Sequence, residues 1–215
     1  MTEILLIRHG ETDWNSERRL QGHLDIALNA AGLRQAQALG QALRNEALDA
    51  IFSSDLGRAM QTAQAIAAGR GIDVQIEPGL RERCYGAFEG LRHAEIRERY
   101  PDAYALWQAR ELDGRLPDGA RPAETLREFS ARAVGTVVGL AVAHKLRRIA
   151  LVAHGGVLEC ICREARGIGW GAPRDFDIRN TSINRLHWNG NALRVLEWGN
   201  IAHLQQDALD EVDRS

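Results

Sequence analysis

The sequence predicts an α/β fold: a three-layer α/β/α sandwich with a mostly parallel sheet, one antiparallel edge element and a small cap insertion. Three observations predict it. Continuous apolar runs at residues 4–7 and 149–152 are what strands buried on both faces produce. Helical patterns alternate with such runs, the order of a parallel α/β sheet. The last two strand patterns flank Asn189-Gly190-Asn191, a hairpin turn, and a hairpin is antiparallel.

In chain order, residues 4–7 form the first strand. Asn29 can cap a helix that carries Leu33, Ala36, Leu39 and Leu43 on one side. Residues 50–52 are a second strand ending in Ser53-Ser54-Asp55, a helix start, and residues 59–68 read as helix. Residues 74–76 are a third strand. Residues 124–144 are mostly helical, although Gly135 and Gly139 weaken the pattern. The strand at 149–152 leads through Gly155-Gly156 into a helix reaching about Arg163. Residues 182–188 and 193–198 make the terminal hairpin. A cap-like excursion spans about 85–122. Its part from 101 to 122 is interrupted by Pro101, Gly114, Pro117, Gly119 and Pro122, and no period persists there. A cap over a site and a surface loop between two helices both fit it.

The chain has 215 residues, 45% hydrophobic, enough for a full core in one domain over 1–215 without a disulfide or metal staple. A formal net charge of −2 argues against a general nucleic-acid binder. Three cysteines make no even framework, so a reducing, cytoplasmic setting is expected. The opening apolar run is too short for a signal-peptide core, and no run approaches the roughly 18 apolar residues of a membrane span.

Two of the buried strands end alike, in Leu6-Ile7-Arg8-His9-Gly10 and Leu151-Val152-Ala153-His154-Gly155. Ligands of open parallel sheets bind at the carboxyl ends of strands. One histidine there would read as structural; two in one sheet point to a shared site. Arg8 precedes His9 directly, and Arg58 falls in the first turn of the helix after Ser54-Asp55. A helix start offers free N–H groups, and guanidinium forks grip phosphate oxygens. The set suits a phosphoryl group. A metal is not expected: no third ligand or His-x3-His pair accompanies these histidines, and an adjacent arginine is a poor neighbour for a dication. Cys160 and Cys162 point to different helix faces and read as packing residues.

At Arg8-His9-Gly10-Glu11-Thr12, followed by Trp14-Asn15, the chain resembles the signature of the histidine phosphatase superfamily, the phosphoglycerate mutase-like proteins. The resemblance continues, in the family's order, through Leu20-Gln21-Gly22, Leu28-Asn29-Ala30-Ala31-Gly32, Ser53 to Ala59, Leu80-Arg81-Glu82 with Gly86 and Glu89-Gly90, and Val152 to Gly156. Length and the ending Gly199 to Leu204 look like a bacterial stand-alone branch often labelled phosphoglycerate mutase. The resemblance implies that His9 is the nucleophile that becomes phosphohistidine. It implies that Arg8, Arg58 and His154 bind the transferring phosphoryl group, and that Asn15 adds a phosphate hydrogen bond. Glu82 would protonate the leaving oxygen, and Gln21, Gly22 and Gly155 would contact substrate. The partner is then a small phosphorylated metabolite, no cofactor is expected, and a homodimer is an expectation because dimers are common among such proteins.

Read without the family pattern, Glu82 is a surface carboxylate paired with Arg81 or Arg83. Glu89 is the rival acid and reads as structural. His23, His93, His144, His187 and His203 read as surface or packing histidines, with His23 and His93 the two that could touch substrate. Trp188 and Trp198 read as core, Trp14 and Trp107 as candidate pocket walls, and Asp207, Asp210, Glu211 and Asp213 as a solvated tail.

Three activities compete: a phosphatase, a mutase, and a non-catalytic phospholigand binder. The last would suit a chain lacking the nucleophile or acid, and this one has both. Glu82-Arg83-Cys84-Tyr85-Gly86 is close to the Glu-Arg-His-Tyr-Gly of glycolytic mutases. Against that, His93 stands where those mutases have lysine. Trp107-Gln108-Ala109 stands where they have a Trp-Arg-Arg segment gripping a second acidic group. Arg92, Arg97, Arg99, Arg110 or Arg115 could compensate, and Phe88-Glu89-Gly90 looks more like the phosphatase branch. Hydrolysis is the expected outcome.

Overall fold

The computed structural model describes residues 1–145, 147–204 and 209–210. Among them, a six-stranded sheet runs in the order β3-β2-β4-β1-β5-β6. Strands β1 (Thr2–Arg8), β2 (Ala50–Ser53), β3 (Val74–Ile76) and β4 (Arg148–Ala153) are parallel; β5 (Ile183–Trp188) pairs antiparallel with β1, and β6 (Leu193–Asn200) with β5. The sequence reading thus holds for sheet and hairpin, with strand ends that differ from the expected ones by no more than two residues.

The alternation of side chains along β1 sorts the two faces. Ile4 and Leu6 join one core with Phe129, Ala133 and Val137 of α6 (Leu126–Ala143) and Val157 and Ile161 of α7 (Gly155–Arg166). Leu5 and Ile7 join the other with Leu39 of α2 (Ala30–Ala42) and Ala59, Ala63 and Ile66 of α3 (Gly57–Ala67). Helices therefore cover both faces. A short helix, α1 (Asp13–Ser16), follows β1.

Asn29 caps α2 by accepting from Gly32 N at 2.8 Å. Ala36, Leu39 and Leu43 are buried, but Leu33 is 45% exposed, one turn too early to reach the core. Helix α3 starts at Gly57 with Leu56 at its cap, and no side chain caps it. Asp55 makes a two-point ion pair with Arg81 instead, with Nε–Oδ1 at 2.7 Å. A fork-to-fork pair outcompetes a single capping bond. Gly135 and Gly139 sit on the exposed side of α6. The helix forms because Phe129, Ala133, Val137 and Ala141 recur every four residues on its buried side.

The excursion is more ordered than its punctuation suggests. It holds α4 (His93–Arg99) and α5 (Pro101–Gln108). Pro101 misleads because it is the first residue of α5, where its missing N–H costs nothing. Tyr85, Phe88, Ile96, Trp107 and Leu116 pack with Leu20 as a small separate core.

Cys84, Cys160 and Cys162 are buried and unpaired. Trp188 and Trp198 pack against the main core. No helix among the described residues is long and apolar enough to cross a membrane. Asp207, Glu211 and Asp213 lie outside the described residues. Asp210 is not solvated as expected: its carboxylate accepts from Ile178 N at 2.6 Å and lies 3.5 Å from Arg174 Nη2.

Candidate active site

The register of β1 against β4 builds the site. Arg8 pairs with Ala153, so the next residues, His9 and His154, leave the sheet side by side. Their rings lie 5.1 Å apart, tilted by 56°. His9 Nδ1 meets its neighbour's carbonyl, Gly10 O, at 2.6 Å, which makes Nδ1 the protonated nitrogen and leaves Nε2 with a free lone pair. Burial, then the positive charges of Arg58 and Arg8, hold His9 well below the ordinary imidazole range. His154 is lowered likewise, by burial first and Arg58 next. Both rings are therefore neutral at pH 7. Both His154 nitrogens are buried without a hydrogen-bond partner among the described residues.

Arg8 and Arg58 are almost completely buried, at 1% exposure each. Arg8 Nη1 donates to Ile178 O at 2.7 Å and to Leu209 O at 3.3 Å. Arg58 Nη1 and Nη2 donate to Leu24 O and Gly22 O at 2.9 and 2.8 Å. Carbonyl anchors help to hold each guanidinium in place. The N-terminus of α3 does not present itself as an anion site: its first amide, Gly57 N, donates to Asp25 Oδ1 at 2.7 Å. What α3 contributes is the Arg58 side chain.

Arg8, His9, Arg58 and Glu82 line one cavity with Asn15, Gln21 and Gly22. Asn15 Oδ1 is taken by Thr12 N in a capping box, which turns its amide nitrogen into the group left for a ligand. Gly22 has φ +52°, and a Cβ there would collide with Glu89, so glycine is required for the loop to pass. Glu82 is not the exposed, arginine-paired carboxylate of the alternative reading. It is 7% exposed, and its two oxygens accept from Arg83 N at 2.8 Å and Gly156 N at 3.0 Å. Glu89 is structural as expected, accepting from His23 N and Tyr85 N at 2.9 and 3.1 Å.

Gly155 opens α7 and is buried, but it lines neither this cavity nor the one beside it, which its neighbour Gly156 lines. A Cβ at Gly156 would collide with Glu82 Oε1. Of the two candidate histidines, His23 holds the Glu82 carbonyl with Nε2 at 2.7 Å, and His93 packs on Trp107. Trp14 lies under Arg19 outside the cavity, whereas Arg19 lines it. Sequence reasoning missed Arg19, Tyr85 and Gly156. It also missed Thr62, whose Oγ1 accepts from Gly10 N at 3.0 Å and donates to Arg58 O at 2.8 Å. Only the tertiary fold brings these together.

The arrangement pairs a neutral, oriented imidazole with fixed positive charge and a buried carboxyl group. Residues 4–201 match the family model for the histidine phosphatase superfamily, branch 1. The chain is 38% identical over 207 residues to phosphoglycerate mutase-like protein 4 of Arabidopsis thaliana, covering 95% of this chain and 87% of that one. It is 36% identical over 223 residues to a protein named probable phosphoglycerate mutase GpmB of Enterobacter sp. (strain 638), covering all of both. Among solved structures it is similar to a phosphoserine phosphatase mutant from Entamoeba histolytica in complex with phosphoserine. That likeness has a TM-score of 0.83 at 26% identity, over 95% of this chain and 100% of that one.

Proposed function

The chain belongs to the histidine phosphatase superfamily, and from that membership we propose that it is a metal-independent phosphomonoesterase acting on a small phosphorylated metabolite through a phosphohistidine on His9. One observation carries the reading: the Gly10 carbonyl fixes His9 Nδ1, so a neutral Nε2 is the nucleophile, in a cavity shared with Arg8, Arg58 and Glu82.

In the first step His9 Nε2 forms a bond to phosphorus while the bond from phosphorus to the leaving oxygen breaks. Glu82, protonated, gives its proton to that oxygen, a contribution of about 10²–10⁴-fold. Arg8 and Arg58 spread their charge over the phosphoryl oxygens, which is most of what such a transfer needs. His154 and Asn15 add donors, and Gln21 and Gly22 line the substrate side. In the second step the Glu82 carboxylate takes a proton from water, the oxygen bonds to phosphorus, and the bond to His9 breaks to release inorganic phosphate. Two guanidiniums in place of a dication make the reaction independent of metal. The three unpaired cysteines suit a cytoplasmic setting.

Hydrolysis is favoured over transfer by Trp107-Gln108-Ala109 standing where glycolytic mutases resemble one another in Trp-Arg-Arg. The phosphatase among its structural relatives supports this. The names of the curated relatives favour a 2,3-bisphosphoglycerate-dependent phosphoglycerate mutase as the second reading. One experiment decides. The protein is given 3-phosphoglycerate with and without the 2,3-bisphosphate, and 2-phosphoglycerate and inorganic phosphate are followed together. Phosphate release should dominate and be indifferent to the bisphosphate; primer-dependent isomerisation far faster than phosphate release would overturn the reading.

A further inference from the structure

Beside the phosphate cavity, and sharing Tyr85 with it, lies a second cavity of about 440 Å³ including its open mouth. Gly156 lines it, and Gly156 N is bonded to Glu82, so this cavity begins where a leaving group would depart. Tyr85, Trp107 and Trp170 supply aromatic walls, and Arg83, Arg110 and Glu159 the charged groups.

Arg110 is the unusual member. Of the five arginines that could replace the missing Trp-Arg-Arg charge, Arg92, Arg99 and Arg115 are more than half exposed and lie beside Glu17, Glu95 and Glu128, and Arg97 is also exposed. Arg110 alone turns inward. It follows α5 with φ +53°, a left-handed backbone that a non-glycine residue seldom adopts. Its Nη1 is held by Glu159 Oε1 at 2.5 Å, and its side chain is 10% exposed. Its Nη2 is buried with no hydrogen-bond partner among the described residues. Glu159 is also held by Arg163 Nε at 2.8 Å, and Arg163 lies over Trp170. Two guanidiniums on one carboxylate leave this cluster positive, and Arg83 adds to it.

We propose that this second cavity receives the leaving group of the substrate, and that Arg110, clamped by Glu159, selects leaving groups that carry a carboxylate on a compact body. The proposal rests on the phosphatase reading, since it takes Glu82 to meet the leaving oxygen. The clamp leaves one guanidinium nitrogen, Nη2, buried with no partner among the described residues. A carboxylate there gains a charge-assisted bond, whereas a neutral leaving group leaves that donor buried and unmet. A site built on an unmet polar group rejects the analogue that lacks the partner.

The test uses the full chain and two pairs of esters. 3-Phosphoglycerate is compared with glycerol 3-phosphate, and 4-carboxybenzyl phosphate with benzyl phosphate. The wild-type protein should prefer the acid by about 10-fold or more in kcat/KM in at least one pair, as expected of one charge-assisted bond. Arg110→Gln should bring that ratio close to one, and Arg110→Lys should give an intermediate ratio. Glu159 keeps Arg163 in both variants, so the clamp is not emptied. The same ratios are measured as binding affinities by calorimetry in a His9→Ala background. No acid preference in binding, or a preference that survives Arg110→Gln, overturns the proposal. Acid-selective binding without phosphate release from any ester would instead sink the phosphatase reading and leave the binding assignment standing.

Discussion

Replacing Gly156 by alanine tests the role of Glu82 without replacing Glu82. Gly156 is the second residue of α7, where helical backbone accepts alanine, and the change adds up to about 1 kcal/mol of helix propensity. The added Cβ collides with Glu82 Oε1 and comes within 3.0 Å of the Phe129 ring. To restore ordinary contact the carboxyl oxygen must retreat by about 1 Å, a misplacement that can cost about 10²-fold in a positioned group. The loss should fall where proton donation matters. Benzyl phosphate leaves as a poorly stabilised alkoxide and needs the acid; its kcat/KM should drop by about 10²-fold, within the span of general acid catalysis. 4-Nitrophenyl phosphate leaves as a stabilised phenolate and should lose less than about 10-fold. Thermal unfolding is followed in parallel, and the midpoint should move little, since helix propensity offsets the crowding. Equal losses on both esters would refute the reasoning, because the methyl would then be blocking phosphate rather than displacing an acid.

Four further outcomes are expected. Brief incubation with labelled substrate and an alkaline quench should leave acid-labile phosphate on the peptide containing His9. His9→Ala should remove turnover, while Arg58→Ala and His154→Ala should lower kcat by roughly 10²–10³-fold and leave a trace; label on another peptide would reject the assignment. Exhaustive treatment with a chelator should leave the rate near its starting value, and a loss restored by zinc or magnesium would contradict the two-guanidinium account. The folded protein keeps His9 and His154 neutral where the unfolded chain, with imidazoles near 6.5, takes up protons. Stability should therefore be flat with respect to these two groups above that pH. It should fall as pH drops below it, by at most about 1.4 kcal/mol per unit for each histidine. Urea midpoints at pH 7.5 and 5.5 should show a shallower fall in His154→Gln than in wild type, and parallel slopes would count against it. Asp210→Ala should loosen Leu209, whose carbonyl accepts from Arg8 Nη1 and Asn180 N, and lower kcat by about 10-fold at a temperature where the fold is intact; an unchanged kcat would show that Arg8 is held in place without Leu209.

The legible part of the molecule was the part governed by short-range pattern. Residues 4–7 and 149–152 are apolar without interruption because both faces of a central strand are covered, and that places His9 and His154 each at a strand end; the pairing of the two strands makes the ends neighbours. Asn29 announces its helix because a cap is a local bond. Where a long-range partner competes, local pattern fails. Asp55 reads as a helix cap and is drawn off by Arg81, 26 residues later. Asp210 reads as tail and is held by the Ile178 amide. Pro101 reads as a breaker and starts a helix.

The same distinction explains why the phosphate end of the site is easier to read than the leaving-group end. A phosphoryl group is one rigid shape, and its proposed binders lie at places a local pattern marks: a strand end for Arg8 and His9, another for His154, a helix's first turn for Arg58. The leaving group imposes no such constancy. Its candidate binders come from the end of α5 and the residue after its cap, from α7, and from the loops at Arg83 and Trp170, segments far apart in sequence; Arg110 and Glu159 are 49 residues apart. No spacing rule joins an arginine after one helix to a glutamate inside another. They meet at the cavity that Trp107 and Tyr85 line together with Gly156, beside Glu82. On the proposed assignment, specificity becomes a property of how the excursion packs. A variant that alters that packing without touching Arg110, such as Trp107→Ala, should shift the preference between acidic and neutral esters while the label on His9 still forms. If the preference stayed fixed when Trp107 was removed, the excursion would be a lid of no chemical consequence and the selectivity would have to reside in the phosphate cavity itself.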